Sequence, residues 1–374
     1  MKIAIIRQRY NPFGGAERFV SRALTALSKQ QTVSLHLIAR QWEPIAEIQF
    51  HPCNPAYLGR VMRDFGFAIF ACRTAKQLNV DLIQSHERLS CCDIYRAGDG
   101  VHREWLKQKT RSMPWLSALL TRISLYHLYI QWAERRMFEN TSLKAVICNS
   151  NMVKQEILSY FQIAEHKIHV IYNGIDSQTF KPCLASEKLA YRQQWRIPED
   201  AQVFLFVGSG FERKGLQQAI VAFSGLPATN ILAVVGYDKH EQKYRKLVDK
   251  LKIADRVIFF GSQNDVKPFY ALADVFVLPT LYDPFPNACL EAMACGLPII
   301  TSEKSGTAEI LNGKAGLSCD SQDIQAISEA MLALSDKTLA TEMGQQARQI
   351  AEKYDWSLIG DSLVNLYQSL EQQP

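Results

Sequence analysis

The stretch "LYDPFPNACLEAMACGLPIITS", residues 281–302, decides how this chain is read. Asp283 enters a loop stiffened by Pro284 and Pro286. A second acid, Glu291, follows eight positions later. The apolar run around it has helical spacing, and Gly296-Leu297-Pro298 stops it. A β-branched run, Ile299–Thr301, comes next, and the apolar run Val275–Leu278 comes before. The pattern is strand, rigid loop, helix, strand. The helix is expected to start near Ala288, which puts Glu291 in its first turn, where the helix dipole favours a carboxylate.

The same alternation runs outward in both directions. Strands are expected at Ile3–Ile6, Val33–Ile38, Leu82–Gln84, Ala145–Cys148 and Ile168–Tyr172. A second series is expected at Val203–Val207, Ile231–Val235, Val257–Phe260, Val275–Leu278 and Ile299–Thr301. Helical periodicity fills the gaps, as at Val266–Ala273 and Ser321–Leu334. Alternation of this kind predicts parallel sheets covered on both faces. The expected fold class is α/β, with two doubly wound, Rossmann-like domains facing across a cleft. The turn-rich seam "NGIDSQTFKPC", Asn173 to Cys183, separates an N-terminal domain, 1–176, from a C-terminal one, 184–355.

Composition agrees. At 374 residues the chain is long for one core and comfortable for two, and 47% apolar content fills them. No run of about 18 apolar residues is present. "MKIAII" is too short for a signal-peptide core, so a cytoplasmic location is expected. The net charge of +5 does not call for nucleic acid, but suits an anionic substrate or an anionic membrane surface. Nine cysteines without a C-x-x-C read as small buried hydrophobes in a reducing compartment. His166 and His169 are joined by no further ligand cluster, so no metal is expected.

Ligands of doubly wound sheets lie beyond the carboxyl ends of the strands. Four constellations fall there. "YNPFGGAER", Tyr10 to Arg18, brings Gly14 and Gly15 and a helix start suited to an anion or a sugar. "GSGFERKG", Gly208 to Gly215, brings Ser209, Arg213 and Lys214, a planar fork and a point charge suited to a diphosphate. In the opening stretch, Glu291 can accept bonds from vicinal ribose hydroxyls, Asp283 from sugar hydroxyls, and the backbone of Phe285, Pro286, Asn287 and Ala288 frames the loop. "YRAGDGVHREW", Tyr95 to Trp105, sets Asp99 between two glycines, followed by His102. His86 in "SHERL" is a weaker candidate. Two acids eight positions apart also suggest a glycosidase pair, but that explains neither the Arg-Lys pair nor the glycine turn.

Residues 103–136 combine seven basic and two acidic residues with Trp105, Trp115 and Trp132. A basic amphipathic helix with interfacial aromatics is the pattern of a segment lying on an anionic leaflet.

Taken together, Asp283-x7-Glu291 with "AMACGLP", "GSGFERKG", "YNPFGGAER", "VICNS" and "IYNGID" resemble the retaining glycosyltransferases of the GT-B fold, family 4. Within it the chain is most similar to members that glucosylate the heptose of the lipopolysaccharide core. The family usually has Glu where this chain has the shorter Asp283. The resemblance implies a UDP-sugar donor and no resident metal or other cofactor. Glu291 would hold the ribose. Arg213 and Lys214 would neutralise the diphosphate and the leaving group. Gly14 and Gly15 would pack near diphosphate and acceptor, and Asp283 and Asp99 would serve the sugar and the acceptor hydroxyl. It also implies a lipid-linked glycan acceptor, attachment to the cytoplasmic face of the inner membrane, and a C-terminal helix, 357–374, that packs back on the first domain. Two other readings stand beside it, a nucleotide-sugar epimerase and a catalytically silent, membrane-associated sugar-binding protein.

Overall fold

The computed structural model describes residues 1–9, 34–42 and 48–371. The chain forms two compact units, Met1–Asn173 together with Ser357–Pro374, and Gly174–Trp356.

In the first unit, the described strands are β1 (Lys2–Ile6), β2 (Ser34–Ala39), β3 (Ile48–Pro52), β4 (Leu82–Ser85), β5 (Ile94–Arg96), β6 (Ala145–Cys148) and β7 (Ile168–Val170). They lie in the order β3-β2-β1-β4-β5-β6-β7, and every pairing is parallel. The second unit contains β8 (Gln202–Val207), β9 (Asn230–Val235), β10 (Val257–Gly261), β11 (Val275–Leu278), β12 (Ile299–Ser302) and β13 (Gly316–Cys319). Its order is β10-β9-β8-β11-β12-β13, again parallel. β8, β9 and β11 are buried along their whole length, as near-continuous apolar runs covered on both faces must be.

Both sheets reverse their strand order beside the first strand of the unit. β1 lies between β2 and β4, and β8 between β9 and β11. At such a switch point the loops leaving two adjacent strands diverge to opposite sides and open a crevice at the carboxyl ends. In the second unit those loops are Gly208–Gly215 and Pro279–Pro286.

β3, β5 and β13 escape the sequence pattern. β5 has three residues, too few for a period, and β13 opens on Gly316, whose φ of 156° brings it against the Ile299 carbonyl. The expectation of nine reduced cysteines is corrected at two positions. Cys72, in the helix Gly59–Gln77, and Cys91, after β4, form a disulfide. Their 19-residue separation carries no spacing signal, so folding alone brings the two sulfurs together.

The last helix, Trp356–Glu371, belongs to the first unit from Ser357 onward. Leu363, Leu366, Tyr367 and Leu370 are buried, at the three- and four-residue spacing of one helix face. The Tyr367 hydroxyl donates to Gln84 Oε1 in β4, and Gln84 Nε2 lies 3.1 Å from His86 Nε2.

Candidate functional site

β8 exits through two glycines in the left-handed region, Gly210 at φ 74° and Gly215 at φ 77°. Between them, Phe211–Lys214 forms a single helical turn. A side chain on Gly215 would meet the Pro279 carbonyl oxygen at 2.0 Å, so this turn packs directly on the loop leaving β11. Leu281 N and Thr280 Oγ1 both donate to the Arg213 carbonyl, at 2.9 Å each. On its far side the β11 loop bridges Ser305. Asp283 N donates to Lys304 O, and Gly306 N donates to Asp283 O.

This bracing brings three side chains together across about 70 residues of sequence. Lys214 Nζ lies 2.6 Å and Arg213 Nη1 2.8 Å from the same oxygen, Asp283 Oδ2. Lys214 and Asp283 are buried, while the Arg213 side chain is 42% exposed. Burial opposes the Asp283 carboxylate, but Lys214 and Arg213 outweigh it and hold the carboxyl below its usual range. Burial, with Arg213 beside it, lowers the Lys214 ammonium, although Asp283 pulls the other way. The cluster carries one net positive charge at a strand end. Asp283, expected to face a sugar, is therefore the counter-ion of the two cations in this state.

The helix Asn287–Ala294 begins one residue before Ala288. Glu291 is consequently its fifth residue and lies beyond the first turn, which corrects the expected first-turn placement. It is buried, and Oε2 accepts from the Tyr270 hydroxyl at 2.9 Å. Tyr270 itself is 1% exposed. Sequence reading missed this brace. Its only signal is that a buried tyrosine needs a partner for its hydroxyl. Ser305, in the bridge beside Asp283, was missed too, and its buried Oγ has no hydrogen-bond partner. Phe285 and Pro286 are buried, and Asn287 and Ala288 are half-buried at the head of the helix. Ser209 is exposed, and its Oγ accepts from Tyr237 N. Gly14 and Gly15 lie outside the described residues.

In the first unit, Asp99 follows β5 in a turn that Gly100 closes at φ 69°. Its carboxylate is half exposed and lies 3.9 Å from Arg7 and 4.0 Å from Arg88. All three line a cavity of about 260 Å³, with Glu87, Asp64 and Arg63. His102 does not line it. Its Nε2 sits 3.0 Å from His127 Nδ1, and burial, together with Arg88 and His127, pushes it down to about 3. His86 is buried in the chain leading to Tyr367, and burial, then Arg7 and Arg96, holds it well below its usual value. Among the described residues no three metal-ligating side chains converge.

Residues 103–136 fold as the helix His102–Thr110 without its first residue, the helix Trp115–Arg122 and most of the helix Leu125–Phe138. Both acids are turned inward. Glu104 is 2% and Glu134 1% exposed, and Glu134 takes bonds from Arg88 Nε and His102 N. Lys107, Arg135 and their basic neighbours stay outside. Trp115, Leu116, Leu120, Leu125 and Trp132 are exposed, and the helix Trp115–Arg122 buries none of its residues. No described helix is long and apolar enough to cross a membrane.

Residues 187–350 match the family "Glycosyl transferases group 1", and residues 13–179 match "Glycosyltransferase Family 4". The chain is 24% identical to the lipopolysaccharide glucosyltransferase WaaG of Escherichia coli, across 95% of both chains. It is 30% identical to the lipopolysaccharide core biosynthesis glycosyltransferase LpsE of Rhizobium meliloti, across 48% of this chain and 53% of that one. The crystal structure of WaaG superposes with a TM-score of 0.84 at 23% identity, covering 97% and 99% of the two chains. That of Anabaena HepE, solved in complex with UDP-glucose, gives 0.77 at 19% identity, covering 99% and 100%. These structural likenesses fix the GT-B architecture.

Proposed function

The chain belongs to the glycosyltransferases of group 1 and family 4, and from that premise we propose that it transfers glucose, with retention, from UDP-glucose to a lipopolysaccharide core glycan. The observation that carries the donor half is the convergence of Arg213 and Lys214 on Asp283 beside the helix that holds Glu291.

An incoming diphosphate competes with Asp283 for the two cations. Its oxygens take the Arg213 fork and the Lys214 ammonium, and Asp283 is released toward the sugar hydroxyls. Amides at the head of the helix Asn287–Ala294 add donors for the phosphates. Glu291, locked by Tyr270, accepts from the ribose hydroxyls. As the glycosidic bond to the β-phosphate breaks, charge builds on the leaving UDP, and Arg213 and Lys214 stabilise it most in the transition state. The acceptor oxygen attacks from the face that UDP leaves, and its proton passes to the departing phosphate. Asp99, in its arginine-lined cavity, orients the acceptor. Arg213 and Lys214 do the charge work, so the reaction needs no metal.

The acceptor half follows WaaG and LpsE, both described as lipopolysaccharide enzymes. The inward acids and outward cations of residues 103–136 suit the anionic inner leaflet on which a lipid-linked acceptor is presented.

Incubation with UDP-glucose and a heptose-terminated lipopolysaccharide core tests this reading. The expected product carries one added glucose in α linkage by NMR. A β-linked product would remove retention, and transfer from GDP-mannose alone would replace the donor.

A further inference from the structure

One cavity of the second unit is not at the carboxyl ends of its strands. It lies at their amino ends, behind the site described above. About 560 Å³ opens between the start of β8, the residues just before β11 and β12, and the helix Lys337–Ala351. That is the size of a small-ligand site.

Its lining is chemically specific. Lys188, Lys337 and Arg348 line it with one carboxylate, Asp274. Arg348 is paired with Glu352 and donates to the carbonyls of Ser177, Phe180 and Ala294, and Lys188 is paired with Asp274, so among the described residues Lys337 is the lining cation without a carboxylate partner. Asp274 already holds Lys188 at 2.6 Å and Arg192 at 2.6 Å. The excess charge is positive. Gln202, the first residue of β8, is 4% exposed, and its Oε1 has no hydrogen-bond partner. A buried acceptor left unpaired costs about 1–3 kcal/mol, so it calls for a donor from outside the chain. Thr341, Gln345 and Gln349 add neutral hydrogen-bonding groups along one side.

The cavity also touches the donor cradle through one residue. Tyr270 lines it, and the hydroxyl of the same tyrosine holds Glu291. Cys295 and Gly296, which end the Glu291 helix, line it too.

We propose that this rear cavity is a regulatory site for a small phosphorylated sugar, read by the donor site through Tyr270 and Glu291. The phosphate meets Lys337. A sugar hydroxyl donates to Gln202 Oε1, and the remaining hydroxyls meet Thr341 and the glutamines. Occupancy fixes Tyr270, and with it the carboxylate that grips the ribose. This last step rests on the donor reading of Glu291; the site itself does not.

The test is calorimetric titration of the full-length protein with glucose 6-phosphate while saturating UDP fills the cradle. One equivalent should bind. Thr341→Trp obstructs the mouth from an exposed position, and Lys337→Gln removes a cation without altering the backbone. Each should weaken glucose 6-phosphate about tenfold while UDP affinity stays unchanged. By linkage, UDP and glucose 6-phosphate should shift each other's affinity by one common factor of about fivefold or more. Tyr270→Phe should abolish that shift but not glucose 6-phosphate binding. No binding at millimolar sugar phosphate, or binding unaltered in both cavity variants, overturns the site. Binding without mutual shift overturns the coupling. If UDP itself fails to bind, the titration without UDP still reads the rear cavity, so the two readings fail separately.

Discussion

Asp283 sits with one oxygen shared by two cations. On the proposed reading, a nucleotide diphosphate would take over the charge it supplies. Asp283→Asn leaves Lys214 buried beside Arg213 without a counter-charge, a loss of about 3 kcal/mol in urea unfolding. Saturating UDP should recover much of the deficit, because the diphosphate restores the charge. An equal deficit with and without UDP would place the diphosphate elsewhere. The pH dependence has a definite sign. The folded carboxyl titrates below its unfolded value, so its stabilisation is complete above the ordinary carboxylate range. It is lost as pH falls through the lower, folded value. Wild type minus Asp283→Asn stability should therefore be flat near neutrality and shrink in acid. A difference that grew on acidification would contradict the ion cluster.

At the scale of elements, the cradle is two loops leaving adjacent strands, fastened by the close approach of Gly215 to Pro279. Gly210 and Gly215 share a positive φ but not a neighbourhood, since Gly210 has open space around it. Gly210→Ala should cost about 1 kcal/mol, the conformational term alone. Gly215→Ala adds a clash with backbone and should cost about 3 kcal/mol and weaken UDP. Equal melting temperatures for the two variants would contradict that packing. The strands that position these loops were legible in the sequence, because β8, β9, β11 and β12 are long enough, and apolar enough, to stand out from the helical pattern. The loops' residue types were legible too. The contact between them was not, because Lys214 and Asp283 lie 69 positions apart and nothing local pairs them. The helix starts at Asn287, within one residue of the expected start, and that one residue carries Glu291 beyond the first turn. Nothing local pairs Tyr270 with Glu291, since the two sit on different helices.

For the whole molecule, family membership and the two parallel sheets account for the architecture, and the return of the C-terminal helix through Tyr367 completes the first unit. Residues 103–136 give that unit a surface with exposed Trp115, Leu120 and Leu125 and both acids buried. The intact protein should sediment with vesicles containing phosphatidylglycerol at low salt and be released as salt rises. Leu120→Asp with Leu125→Asp should reduce sedimentation several-fold without changing UDP affinity. Equal sedimentation with neutral vesicles would remove the electrostatic part of that attachment. The central claim, however, concerns the donor cradle. Its most direct measurement is calorimetric titration of the purified protein with UDP in EDTA, beside Glu291→Gln. UDP should bind without metal, and the variant should bind it about tenfold more weakly, having lost a charge-assisted hydrogen bond to the ribose. No UDP binding, or the same affinity in both proteins, would contradict the account.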